Sequence, residues 1–328
     1  MKKFLKYAAL VLPLICVPLL AGNIYYLRLC NLAMIYGIFA LGLNILTGYT
    51  GITSFGHAGF FALGAYTSAI LAVKAGLPVL VCIPLAGLIT AAAAYLVGLP
   101  VRRISGIYLA MVTLGFAEFI RILAINLEWL TGGPLGISRI PPLAVPAAPP
   151  GIFNPEQGRF FFLYITTVLL VAFFVRLIRS RFGRCLLAIR DSEDAAASIG
   201  IACAANKMAA FFFSGLYSGL AGALYAHFDR FISPDTFQFD MSVLVLCMVV
   251  AGGMGSVFGS LLGAGILVIL LEVFQPLGDY RLIAYGSLLM IMITWFPGGL
   301  AGGFESLRKK ILPGQTRNTE TTGGSPLV

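Results

Sequence analysis

Enzyme chemistry asks for a nucleophile beside a base, a carboxylate pair or a metal cluster, and this chain offers few of the parts. It has two histidines, His57 and His227, in 328 residues. Its six cysteines form no CxxC pair and have no histidine at ligand spacing, so they read as small apolar residues and imply neither a metal site nor a disulfide. The sequence contains no Gly-Lys-Ser or Gly-Lys-Thr, and no GxGxxG follows a strand-like run. Any ATP it uses must therefore be hydrolysed on another chain, and the reading is of a non-enzyme with no cofactor of its own.

Three groups of residues still carry chemical interest. The first is a charged, helix-forming insert, RFGRCLLAIRDSEDAAASIGI (Arg181 to Ile201), set between long apolar segments. Alternating charge often marks only a solvated helix face. Here Ala195, Ala196, Ala197 and Gly200 present small residues that let a partner approach the backbone, and Arg184, Arg190, Asp191 and Glu193 supply rim charges that would orient it. The insert reads as a docking element.

The second group is two glycine clusters that interrupt apolar runs: Gly48, Gly51, Gly56 and Gly59, then Gly252, Gly253, Gly255 and Gly259. Paired broken helices in two halves of a transporter can line a polar path, and the cluster with Thr50, Thr53, Ser54 and His57 fits that role better. Close helix packing through small residues is the competing reading of each glycine. His57 is either a hydrogen-bonded packing residue or a proton carrier. The third group is Glu118 with Arg121, three apart on one helix face inside an apolar run, which form either a structural ion pair or a polar lining at an outer gate.

The elements that position these groups are set by composition. With 59% hydrophobic and 11% charged residues and a mean hydropathy of +0.95, the chain cannot fold around one water-soluble core. A membrane-crossing helix needs about 20 apolar residues, and such runs lie near 5–22, 29–47, 78–99, 105–127, 160–178 and 207–226. Shorter or glycine-broken runs at 57–73, 241–251, 256–275 and 282–297 bring the total to about eight to ten transmembrane or re-entrant helices. The fold class is all-α, a polytopic membrane protein with a single transmembrane domain over 1–312. The basic, apolar start (residues 1–22) reads as an uncleaved first span, with a secretion signal as the alternative.

With the N-terminus cytoplasmic, 15 of the 22 Lys and Arg residues fall on the cytoplasmic side, and both termini face the cytoplasm. The insert at 179–206 is then cytoplasmic. The Pro- and Gly-rich segment 128–158 is an extended or turn-filled outer loop, and 313–328 is a disordered tail. A net charge of +9 invites a nucleic-acid reading, but the basic residues sit at span ends and form no aromatic-laced patch, so no nucleic acid is expected.

Several stretches together resemble the permease subunits of ABC importers for branched-chain amino acids, of the LivM type: GLNILTGYTGITSFGHAGFFALGAY (Gly42 to Tyr66), LTGGPLGI (Leu130 to Ile137), RSRFGRCLLAIRDSEDAAASIGI (Arg179 to Ile201), AGALYAHFDRFISPDTF and VVAGGMGSVFGSLLGA. The resemblance covers roughly residues 30 to 305 and implies a type II ABC importer-like permease fold in the bacterial inner membrane. It implies an ATPase-coupling loop carrying Gly183, Arg184, Arg190, Glu193, Ala195, Ala196 and Gly200, although the chain departs from a strict Glu-Ala-Ala by reading Glu193, Asp194, Ala195. A translocation path at Gly48, Gly51, Ser54, Gly56, His57 and Glu118 is expected, and an outer-loop site at Thr131, Gly132, Gly133 and Pro134. The implied partners are a second homologous permease subunit, two ABC ATPase subunits that hold ATP and Mg, a periplasmic solute-binding protein, and membrane lipid. Leucine, isoleucine and valine are the default cargo. Urea, short amides and other amino acids are alternatives, and an ion-coupled secondary transporter or a purely structural subunit is the rival from another class.

Overall fold

A computed structural model of the chain describes residues 24–102, 104, 106–143 and 155–274, with 286 and 290 besides. The expected spans at 5–22 and 282–297 (apart from 286 and 290) and the expected tail at 313–328 lie outside the described residues. So do residues 144–154 of the expected outer loop.

Eleven helices run through the described residues: α1 Ile24–Asn44, α2 His57–Val73, α3 Val79–Val97, α4 Ile107–Asn126, α5 Glu128–Thr131, α6 Pro155–Arg179, α7 Arg181–Asp191, α8 Glu193–Ser198, α9 Cys203–Asp229, α10 Phe239–Gly252 and α11 Val257–Val273. Among them there is no strand, only an isolated antiparallel bridge between Ile137 and Ile232. The chain is thus an all-α polytopic protein, as composition requires. Five stretches are long and apolar enough to cross a membrane: Ile24–Thr50, Val79–Val97, Ile107–Asn126, Glu156–Arg179 and Cys203–Asp229. The shorter α2, α10 and α11 pack among them. The outer segment is shorter than its composition suggests, because 155–158 already belong to α6 and 128–135 hold α5 and a 3₁₀ turn. Pro155 at the first turn of α6 loses no helical bond there, so the proline that reads as loop starts a helix instead.

Lipid supplies no hydrophobic force between helices, so the bundle must be held by close packing and polar contacts. α1 and α9 form its centre, and α9 lies against α1, α2 and α3. The crossings are made by small residues. Gly64 of α2 meets the Gly219 backbone of α9, Gly215 and Gly219 nestle against Thr90 of α3, and Gly42 of α1 sits under Ser214 and Tyr217. By contrast α6 presents Ile165, Leu169 and Phe173 outward, and α3 presents Leu85, Leu88 and Ile89. That division of faces leaves a seam along α1, α2 and α9 where Asn44, Ser54, His57 and Ser214 are buried among apolar side chains.

Candidate functional site

The interior seam is built around the break between α1 and α2. The last turn of α1 widens into a π-helix at Ile45–Thr50, and Gly51 ends it in a left-handed conformation (φ 75°) that a side chain would strain. Thr50 Oγ1 donates to the Ile45 carbonyl at 2.8 Å and Thr47 Oγ1 to Ile52 at 3.2 Å, so hydroxyls close the widened turn. Gly51 and Ile52 still give their N–H groups to the Leu46 carbonyl, and residues 53–56 then run on into the bundle without helical bonds. Non-helical backbone is tolerated at this depth only if other groups satisfy it. Thr113 Oγ1 of α4 accepts from the Phe55 N–H at 3.3 Å, and Ser242 Oγ of α10 accepts from Ala58 N–H at 3.0 Å. Gly56 is pressed so close to the Thr113 carbonyl that a Cβ could not be accommodated.

His57 opens α2 and is fully buried. Its Nε2 lies 2.9 Å from Ser214 Oγ and its Nδ1 3.2 Å from Ser54 Oγ. The one Ser214 hydroxyl proton goes to the Gly42 carbonyl at 2.8 Å, so Ser214 must accept from Nε2–H, and Nδ1 then accepts from Ser54. Nε2 thus ties the start of α2 to Ser214 of α9 and Nδ1 ties it to Ser54 of the break, contacts of the kind a hydrogen-bonded packing residue makes.

The second glycine cluster meets the first directly. Asn44 Oδ1 accepts from Gly255 N–H at 2.9 Å while its Nδ2 donates to the Ser256 carbonyl at 3.2 Å, so one amide joins α1 to the α10–α11 turn. Gly48 fits between them because a Cβ there would strike Asn44 Oδ1 and Gly255 N.

The charged insert folds as α7 and α8 and packs under this junction. α7 buries Gly183, Leu186 and Ile189, and Ser192 caps α8 by accepting from Ala195 N–H at 3.3 Å. Gly200 (φ 84°) ends the segment in open space. Arg190 Nη1 donates to the Gly48 carbonyl at 2.8 Å, with its stem against Gly51. Glu193 pairs at 2.5 Å with Lys207 of α9, whose side chain is 7% exposed. Two residues assigned to an outside partner therefore bind the chain's own membrane body. Gly183 and Ala196 are buried, whereas Arg184, Ala195 and Gly200 are exposed. Ile199, exposed at 77% beside Gly200, is an apolar residue of this surface that the sequence reading missed. An isoleucine set directly before the helix-ending glycine of a charged segment was the available signal.

Glu118 stands apart from the break. On α4 it receives Arg121 Nε and Nη2 at 3.0 and 2.5 Å, with the two side chains 49% and 25% exposed on the helix flank. The ion pair is present, and the pair lies outside the group gathered around His57.

At the other end of the bundle, Thr131 Oγ1 lies 2.6 Å from the Ala124 carbonyl, Gly132 and Gly133 turn the chain, and Pro134 opens the 3₁₀ turn. His227 Nδ1 donates to the Pro141 carbonyl at 2.7 Å and its Nε2 meets Ser68 Oγ at 2.8 Å, which moors the loop to α9 and α2. Trp129 and Leu135 stand exposed at 74% and 84%, an apolar addition to this surface that composition did not single out. Among the described residues no three His, Cys, Asp or Glu side chains gather to hold a metal ion.

Comparison with known proteins matches residues 25–296 to the family described as branched-chain amino acid transport system, permease component. The chain is 41% identical over 299 residues to the high-affinity branched-chain amino acid transport system permease protein LivM of Salmonella typhimurium, covering 83% of this chain and 69% of the relative. The LivM protein of Escherichia coli matches with the same identity and coverage. The probable LivM of Methanocaldococcus jannaschii is 25% identical over 81% of this chain and 90% of the relative. No solved structure matches.

Proposed function

This chain belongs to the family of branched-chain amino acid transport permease components, and from that we propose that it is the membrane subunit of an ATP-driven importer for leucine, isoleucine and valine. In this reading α7 and α8 face the cytoplasm and dock on an ABC ATPase, a second homologous permease subunit completes the path, and a periplasmic binding protein delivers cargo to the Thr131–Pro134 end. Cargo selection then belongs to the binding protein, which accords with a membrane chain so poor in selectivity chemistry.

One observation carries the mechanism: Arg190 of the docking segment is hydrogen-bonded to the Gly48 carbonyl at the helix break. A push on α7 and α8 from the ATPase is thereby delivered to the π turn that ends α1, and through Asn44 to the α10–α11 turn. The break is the element with two arrangements, and ATP-dependent closure of the partner biases it from inward-open to outward-open. Glu193 and Lys207 hold the segment to α9 so that the motion is transmitted as a unit.

The test is reconstitution of this chain with its second permease, ATPase and binding protein in liposomes. Leucine uptake should require ATP and all four components, and Arg190→Ala should cut uptake about tenfold while assembly and basal ATP hydrolysis persist. Uptake by this chain without an ATPase would overturn the reading in favour of a secondary transporter.

A further inference from the structure

Beneath the break lies a cavity of about 410 Å³, within the range of small-molecule sites, walled by the 51–55 segment, the start of α4, α7, α8 and the start of α9. Its lining is divided by chemistry. Arg190, Glu193 and Lys207 bring two cations and a carboxylate to one side. Ile52, Leu109, Ala110 and Ile189, all buried, make the other side apolar. Gly106 and Ile107 of α4 form an exposed lip with Gly51 and Thr53. Arg190 commits one donor to Gly48, has Asp191 3.7 Å from its Nε and keeps further donors on its outer nitrogens, and Lys207 is almost enclosed with Glu193 beside it.

A free carboxylate would meet two cations here, a free ammonium would meet Glu193 and the carbonyls of an unwound segment, and a short branched hydrocarbon would lie on the isoleucines and leucine. We propose that this cavity binds a zwitterionic aliphatic amino acid from the cytoplasmic side, and that occupancy slows the transport cycle. The inference rests on the importer reading above. The ligand spans α7, α8, the break and α4, so it ties the docking segment to the break in the present arrangement and must leave before that segment can move. Accumulated cargo then restrains its own import.

The experiment uses the full complex in lipid nanodiscs, with binding protein already saturated with leucine, and follows ATP hydrolysis as further leucine is added. Hydrolysis should fall about fivefold at saturation. Isocaproate, which lacks the ammonium, isoamylamine, which lacks the carboxylate, and glutamate, which replaces the branched hydrocarbon with a charge, should each leave it unchanged. Ile107→Trp narrows the mouth, so its stimulated hydrolysis without excess leucine should match the wild type while the inhibition shifts to about tenfold higher leucine. Inhibition that isocaproate or glutamate reproduces, that Ile107→Trp does not weaken, or that is missing while loaded binding protein still stimulates hydrolysis, would overturn the site and leave the importer standing. Failure of leucine-loaded binding protein to stimulate the wild type at all would overturn the importer reading and this one with it.

Discussion

At Gly56 three demands fall on one residue: the chain must re-enter the bundle, α2 must start, and the Thr113 carbonyl of α4 must come within contact of the backbone. Thr113 also accepts the Phe55 N–H, so α4 cannot retreat without orphaning a buried donor, which costs about 1–3 kcal/mol. Gly56→Ala therefore either opens the α2–α4 crossing or breaks that bond, and about 2 kcal/mol or more of stability should be lost. A fall in the melting temperature of the purified detergent-solubilised chain, with Gly115→Ala on the open side of α4 as the unaffected comparison, measures it. An unchanged transition would show that the break carries no such constraint. The glycines of this break were legible in sequence because clustered glycines in an apolar run have few other uses. The residues that satisfy it were not: Asn44, Thr113, Ser214 and Ser242 are isolated polar residues on four different helices, and only the fold brings them to one place. His57 could be placed beside the break from spacing, but its partner Ser214 lies 157 residues away in the chain and could not.

The docking segment is an element with two faces, and the bend at Ser192 sets them. α7 turns Leu186 and Ile189 inward, and across the bend Glu193 reaches back to Lys207, so charges that alternate along the chain are sorted between the membrane body and the outside. The charged, alanine-rich make-up of 181–201 made helix legible there, and Gly200 marked where the segment stops, but the division at Ser192 was not legible. The sequence did not disclose which charges turn inward, because a β-region residue between two short helices rotates the second face by an amount no periodicity encodes. Among the residues that remain outside are Arg184, Asp194, Ala195, Ala197 and Ile199. Burying an isoleucine against a partner contributes about 1.5–3 kcal/mol, so if the segment docks the proposed ATPase, Ile199→Asp should weaken that binding by roughly ten- to a hundredfold. Pull-down of the ATPase by the tagged permease measures this, and the melting temperature of the permease alone should not move, since Ile199 touches nothing in its own body to an extent that hides it. ATPase capture equal to wild type would place the contact elsewhere on the segment.

For the whole molecule the question is what covers the flank of α4. α1 and α9 are clothed by other helices, with 72% and 67% of their most apolar windows buried, whereas α4 buries 33% and α6 17%, and of these two α4 carries an ion pair on its bare flank. Exposed beside Met111, Phe119 and Ile122 is the Glu118–Arg121 pair, near the middle of a 20-residue helix. Lipid contact at that depth costs a charge several kcal/mol, and pairing on one helix relieves only part of it. A protein surface that offers further hydrogen bonds to the carboxylate and the guanidinium edge relieves the rest, and the second permease subunit proposed above would supply one. Arg121→Leu would leave the carboxylate unpaired in that contact, so recovery of the paired subunits should drop about tenfold or more. Glu118→Leu with Arg121→Leu removes both charges and should recover much of the pairing, because an apolar pair of similar volume commonly replaces a buried ion pair at little cost. Co-purification of the two subunits from membranes reads both. If Arg121→Leu pairs as well as wild type while still inserting, the flank faces lipid or water, and the second subunit must be sought on α6, which turns Ile165, Val168, Leu169 and Phe173 outward.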